Sequence, residues 1–253
     1  MGQTFEVTWS DEVAAPPAAV WDAVTRHSDG WLWPISYEPR VGGAETGLTG
    51  EGGEVTAWEP GRRFVTTATD AVGTNQLDYT FSETAEGGTA IRYHHHGVVP
   101  DDEDLAVQLD ACEVHTDLYR HSMGTYATHF AGRDATYVEV DAGPASCAEG
   151  STARLTTALG LDDAAVGDEV TLSITGTDPI AGTVDYVGPT FLGVRSAHGL
   201  HRIYGRDRWG WPVSVAHHLF DPAADGAAVE AAWRTFLAGI YETVTETETE
   251  ETA

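Results

Sequence analysis

Three consecutive histidines, His94-His95-His96, stand near the end of the strand-like run Thr89–Val98. Consecutive residues of a strand point to opposite faces, so His95 is expected inward with Ile91 and Tyr93, and the three imidazoles cannot all reach one metal. A slip of one residue in the hairpin would exchange His95 for His94. Cys112 and His115, three apart in a stretch of helical period, fall on or beside its apolar stripe and could reach toward His95. Cys112, His115 and His95 together have the donor types of a zinc site. No Cys-x-x-Cys pair supports one, and imidazoles on a helix face without a metal are far commoner, so no metal is expected.

Acid–base chemistry needs a titratable group withdrawn from water, and His95 with Tyr93 or Tyr126 nearby is the best trio for it. Ser122 and His115 are seven apart, about two helical turns, too far for a nucleophile–base hydrogen bond. There is no Gly-x-Ser-x-Gly elbow, and no cofactor motif is found. His121 falls off the stripe, His129 sits where a cation meets the helix dipole favourably, and His217-His218 ends a later strand. Structural roles are expected for these.

The elements that must position such groups are read from periodicity. Thr4–Trp9 alternates Phe5, Val7 and Trp9 on one side, as an edge-type strand. Pro16-Pro17 then opens a helix carrying Val20, Trp21 and Val24, ending near His27–Gly30. After the aromatic stretch Trp31–Tyr37, two hairpins are expected. Glu54–Trp58 and Phe64–Thr69 flank the turn Glu59-Pro60-Gly61-Arg62, and Gln76–Ser82 and Thr89–Val98 flank Glu86-Gly87-Gly88. Asp101–Asp104 marks a helix N-terminus. Leu105, Leu109, Cys112, Thr116, Tyr119, Met123, Tyr126 and Phe130 then step by three or four, and Gly132 stops the helix.

Residues 143–151 have linker composition. Beyond them a short helix is expected at Ala153–Leu159, followed by strands at Glu169–Ile174, Ala181–Val187, Phe191–Arg195, Leu200–Tyr204 and Val213–Leu219. Ala227–Tyr241 closes the pattern as a helix. The expected organisation is therefore a first domain over 1–142 and a smaller meander-plus-helix domain over 152–241, with an acidic tail, 242–253, expected to be disordered. The second half repeats the order of the first but lacks a convincing opening strand.

Strand, Pro-Pro helix, antiparallel meander and long closing helix together resemble the START-like (SRPBCC, polyketide cyclase or Bet v 1-like) helix-grip superfamily. Val13–Val24, the Trp58–Arg62 turn and the strand ending His95-His96-Gly97-Val98 are similar to its activator of heat-shock ATPase-like branch. There the strand commonly ends His-Ser-Gly-Phe, so His96 and Val98 depart from the pattern. The resemblance covers about residues 3–140 and is more specific for fold than for function. His129–Arg133, Tyr137-Val138 and the C-terminal half look like two-part members from high-GC bacteria. The resemblance implies an α+β fold, a seven-stranded sheet curled around the long helix with a hydrophobic cavity between them. It does not imply ATPase activity here, because a Gly-x-x-x-x-Gly-Lys-[Ser/Thr] loop is impossible in a chain without Lys.

Strand parity directs Tyr79, Phe81, Tyr93 and His95 toward that space, and the helix adds His115, Tyr119, Met123 and Tyr126. Trp31, Trp33 and Tyr37 are expected at its mouth. Such walls suit a flat apolar ligand with a few polar groups. The alternative is that the same side chains close the space as an ordinary core. The expected function is non-catalytic binding of a hydrophobic or aromatic small molecule or lipid, or a chaperone-cofactor-like role. One alternative is a cyclase or hydrolase-type enzyme using His95, and another is a module whose partner is a chaperone or other protein.

In its 253 residues the chain carries 13 Arg, no Lys and 40 Asp+Glu, for a formal net charge of −27. A surface this negative repels phosphate backbones and anionic lipid, so nucleic acid is not an expected partner. No run approaches the roughly 20 apolar residues that span a bilayer, and Met1–Glu6 has neither the cationic start nor the apolar run of a signal peptide. With two Cys no disulfide framework is implied, and a cytoplasmic location is expected. The acidity reads either as a solvated surface or as adaptation to a salty cytoplasm.

Overall fold

The computed structural model describes residues 2–242, so the expected disordered tail lies, beyond Glu242, outside the described residues. The chain divides into two compact units, Met1–Asp134 and Ala135–Ala253.

In the first unit, strand β1 (Gln3–Val13) leads into helix α1 (Pro17–Thr25) with Pro17 in its first turn, where a missing N–H costs nothing. Two short strands, β2 (Ser36–Tyr37) and β3 (Gly43–Thr46), precede the hairpins β4 (Gly53–Glu59) with β5 (Arg63–Thr69) and β6 (Thr74–Glu83) with β7 (Thr89–Val99). The strand order is β1-β7-β6-β5-β4-β3-β2, a seven-stranded antiparallel sheet with β1 at one edge. Gly61 turns the β4–β5 hairpin at φ 71°, with Arg62 N–H donating to Glu59 O at 2.8 Å. Thr89 Oγ1 donates to Ala15 O at 2.7 Å, tying the start of β7 to the approach to α1.

Helix α2 (Leu105–His129) is one unbroken rod. Its N-cap Asp104 accepts from the N–H groups of Ala106 and Val107. Its fully buried positions are Ala111, Leu118, Ser122, Met123, Tyr126 and Ala127. The buried face is thus rotated slightly from the stripe read in sequence, because Cys112, Thr116 and Tyr119 border a hollow instead of a filled core.

The second unit repeats the plan. Strand β8 (Thr136–Asp141) is followed by α3 (Ser151–Leu159), the meander β9 (Glu169–Leu172), β10 (Ile180–Val187), β11 (Phe191–Ser196), β12 (Gly199–Tyr204) and β13 (Ser214–Leu219), and helix α4 (Gly226–Tyr241). Its six strands run β8-β13-β12-β11-β10-β9, so the opening strand again pairs with the last strand of the meander. This is the opening strand that the sequence did not reveal. It falls before the stretch of linker composition, which moves the division between units from 143–151 to Asp134/Ala135. The supposed linker is itself ordered: Ser146 is buried, and its Oγ accepts from Val213 N–H at 3.0 Å. Val138, Val140, Leu155, Val184, Val194, Val215, Trp233 and Leu237 belong to one core, which joins α4 to the sheet.

Candidate functional site

A cavity of about 170 Å³ lies in the first unit between α2 and the facing strands. Strands β1, β6 and β7 supply Trp9, Leu77, Tyr79, Tyr93 and His95 to its wall. Helix α2 supplies Cys112, His115, Thr116, Tyr119, Arg120 and Met123, and the segment after α1 adds Trp31, Leu32, Trp33 and Leu48. The antiparallel register accounts for the aromatic wall: Trp9 stands opposite Tyr93, and Tyr93 opposite Tyr79. The Trp9 and Tyr93 rings stack at 5.2 Å, and the Tyr79 and Tyr93 rings are 4.7 Å apart. Indole N–H bonds hold the mouth, Trp31 Nε1 donating to Ala23 O and Trp33 Nε1 to Gly47 O, each at 2.8 Å. Trp33 also meets Tyr119 edge-on at 5.7 Å.

The polar centre is His95. Its ring is met edge-on by Phe5 at 4.9 Å, and its Nδ1 lies 3.6 Å from Cys112 Sγ. Burial, helped by His94 and His96, lowers the imidazole to about 4, while burial raises the Cys112 thiol. Both shifts oppose a thiolate–imidazolium pair. Near pH 7 the contact therefore joins a neutral thiol and a neutral ring, whichever of the two carries the shared proton, unlike the activated cysteine of a thiol protease. Desolvation also holds the Tyr79 and Tyr93 hydroxyls protonated. His115 Nδ1 donates to Ala111 O at 2.7 Å, the carbonyl one turn back. Among the described residues no group of three or more His, Cys, Asp or Glu is arranged to hold a metal ion.

Trp31, Trp33, Tyr79, Tyr93, His95, His115, Tyr119 and Met123 thus come together, and Tyr37, Phe81 and Tyr126 do not. Phe81 shares the inward face but packs on Trp21 of α1 at 5.8 Å. Tyr37 packs edge-on against Phe64 at 4.7 Å. Tyr126 lies over Gly30, where a Cβ would come within 2.4 Å of its ring, and its hydroxyl donates to Arg133 O. Trp9, Leu32, Leu48, Leu77, Thr116 and Arg120 are wall residues missed from sequence, and for Trp9 the signal is its parity with Phe5 and Val7. The Trp9 Nε1 is buried with no hydrogen-bond partner among the described residues. A larger depression, about 650 Å³, spans Ser10–Glu12, Thr80–Ser82 and Ala90–Arg92, but its lining includes the exposed Glu12 and Arg92 and lacks the aromatic enclosure.

A seven-stranded antiparallel sheet facing one long helix, with an aromatic hollow between them, is the arrangement of a helix-grip fold. Residues 14–120 match the family model described as Activator of Hsp90 ATPase homolog 1-like protein. Among solved structures, CalU16 from Micromonospora echinospora is 18% identical over 49% of this chain and 76% of its own, with a TM-score of 0.40. The Aha1 dimer from Colwellia psychrerythraea is 17% identical over 49% and 96%, TM-score 0.39. DynU16, a putative protein in the dynemicin biosynthetic locus, is 16% identical over 94% and 98%, TM-score 0.41. No curated protein matches the chain. Among the described residues no helix is long and apolar enough to cross a membrane.

Proposed function

We propose that the first unit binds a small aromatic or hydrophobic molecule in the His95 cavity without covalent chemistry. The carrying observation is an aromatic-walled hollow of about 170 Å³ whose central imidazole, His95, is held neutral. Engineered apolar cavities of about 150 Å³ take up benzene, so this volume suits one ring or a fused pair. The unpartnered Trp9 Nε1 offers a donor, and neutral His95 offers either role to a ligand hydroxyl or carbonyl. Binding is favoured over acid–base catalysis because an imidazole near 4 is a weak base at neutral pH, where a catalyst works best with a matched pKa.

The probe is indole, titrated into the full chain while quenching of tryptophan emission is followed, with native mass spectrometry of the purified protein to detect a retained ligand. Saturable binding with Kd of about 0.1–1 mM is expected for so small a molecule. Thr116→Phe, which projects a ring into the cavity, should abolish it. Unsaturable quenching, or equal binding by the filled variant, would overturn the proposal.

A further inference from the structure

The second unit holds its own hollow, about 390 Å³, bounded by the β9–β10 and β11–β12 turns, the end of β13 and the start of α4. Ile180, Leu219 and Val229 give it apolar walls, and His201 and His217, 4% and 1% exposed, form its buried polar side. Their Nδ1 atoms are 3.0 Å apart, so one proton lies between them and the two rings are not both cations. His201 Nε2 lies 3.2 Å from Ser196 Oγ. That hydroxyl is held within its own hairpin by Gly199 O and His198 N–H, both at 3.3 Å, so it orients His201.

The chain of bonds has one open end. If His201 Nδ1–H donates to His217, then His217 Nε2 carries a proton with no acceptor. If the direction is reversed, His217 Nε2 is a bare acceptor. Under either tautomer this buried nitrogen has no partner among the described residues, and neither has Thr177 Oγ1, which also lines the hollow. Buried polar atoms are almost always paired, so two open ones lining one apolar hollow call for a third party. Burial keeps both imidazoles neutral, His201 near 4 and His217 well below its ordinary value, so neither presents a charge to a ligand.

We propose that this hollow is a second ligand site, taking an uncharged, mainly apolar small molecule whose one hydroxyl or amide group bonds His217 Nε2. Its volume lies in the range of small-molecule sites, about 300–1,000 Å³. A hydroxyl or primary amide both donates and accepts, and so satisfies either tautomer. Carboxylic acids are disfavoured, because exposed Asp178 and Asp221 stand at the rim and the lining contains no Arg.

The test uses the full chain with 2-naphthol and its acid counterpart 2-naphthoate, followed by titration and by NMR of the imidazole nitrogens. Binding of 2-naphthol is expected to shift the His217 nitrogens saturably, with 2-naphthoate at least tenfold weaker. Ala181→Trp and Ala223→Trp, both at exposed rim positions, should remove the shift without altering the melting temperature. His217→Phe should weaken binding at least tenfold. Thr116→Phe, which fills the hollow of the first unit, should leave the His217 shift intact, so failure at one site is distinguishable from failure at the other. Absence of a saturable His217 shift, unchanged binding in both rim variants, or equal affinity for naphthol and naphthoate would overturn the assignment.

Discussion

Phe5 and Gly97 stand directly opposite each other on β1 and β7, and the Phe5 ring occupies the space that a side chain on Gly97 would need. A Cβ there would come within 2.3 Å of that ring and 2.5 Å of Asn75 Oδ1. The same ring meets His95 edge-on at 4.9 Å, so the glycine of the His-x-Gly motif keeps the imidazole in place through Phe5. Gly97→Ala is expected to cost about 1–3 kcal/mol by overpacking and to move the His95 ring resonances. Phe5→Leu added to it should recover part of the stability without restoring those resonances. Denaturant unfolding and imidazole NMR check this, and an unperturbed His95 in Gly97→Ala would refute the coupling.

The depressed His95 pKa gives stability a definite pH dependence. The folded ring titrates near 4 and the unfolded one near 6.5, so the unfolded chain takes up the proton first as pH falls. The stability this group contributes is fully present above about pH 6.5 and is lost between there and about 4. Its ceiling is about 3 kcal/mol, since one pKa unit is about 1.4 kcal/mol. Buried His201 acts in the same direction. Protonation of surface carboxylates relieves repulsion over part of that range, so the useful quantity is the difference between native protein and His95→Gln. The advantage of the native protein should shrink with falling pH. A constant difference would show that His95 does not titrate as described.

Cys112 should be a slow thiol. Burial raises its pKa, and its contact with His95 joins two neutral groups. In the single-thiol variant Cys147→Ser, alkylation by iodoacetamide near pH 8 is expected at least tenfold slower than for free cysteine, because thiolate is the reacting form. Indole should slow it further by filling the space beside it. Mass-spectrometric rate measurements at several pH values check both. A rate matching free cysteine would mean that His95 activates the sulfur.

Much of this organisation was legible in the residues. Alternation in Thr89–Val98 fixed the inward face of β7, and Asp104 with the three-and-four spacing from Leu105 fixed α2. The Glu59–Arg62 turn gave the first hairpin because Gly61 supplies the positive φ it requires. Parity, however, states only which face a residue takes, and the neighbour covering that face varies along the strand. Phe81 and Tyr79 share a face, yet Phe81 lies under Trp21 of α1 while Tyr79 reaches the cavity. Strand β8 was hidden for another reason. The Gly/Pro-bearing stretch after it looks like a boundary, whereas Ser146 within it is buried and bonded to the Val213 backbone. The His201–His217 contact joins residues 16 apart through the pairing of β12 with β13, which composition and spacing do not reveal.

Arg202 and Asp185 form a bidentate pair at 2.7 and 3.1 Å, with the Arg202 side chain fully buried. Gly193 makes room for it, since a Cβ there would come within 2.4 Å of the guanidinium. Removing one partner strands a buried charge. Asp185→Asn is therefore expected to destabilise by about 3–5 kcal/mol, and the double variant Asp185→Leu/Arg202→Met by clearly less. Urea unfolding of the three proteins checks the order. A double variant as unstable as Asp185→Asn would mean that the pair's own attraction, and not the stranded charge, dominates.

Salt should stabilise this protein strongly. A net charge of −27 repels itself across the surface, and the Debye length falls from about 14 Å near 0.05 M to about 3 Å at 1 M. Screening also weakens attractive pairs, but exposed ones such as Arg26–Asp22 and Arg40–Glu38 are each worth no more than about 1 kcal/mol. With 40 acidic groups against 13 Arg, relief of repulsion outweighs that loss. The melting temperature is expected to rise by several degrees across that range in KCl, most steeply at the low end where the Debye length changes fastest. Sodium chloride should do the same, because screening does not distinguish the cations. A rise that begins only near molar salt would indicate ion exclusion from the surface instead, and a flat melting curve would rule out self-repulsion as a material term in stability.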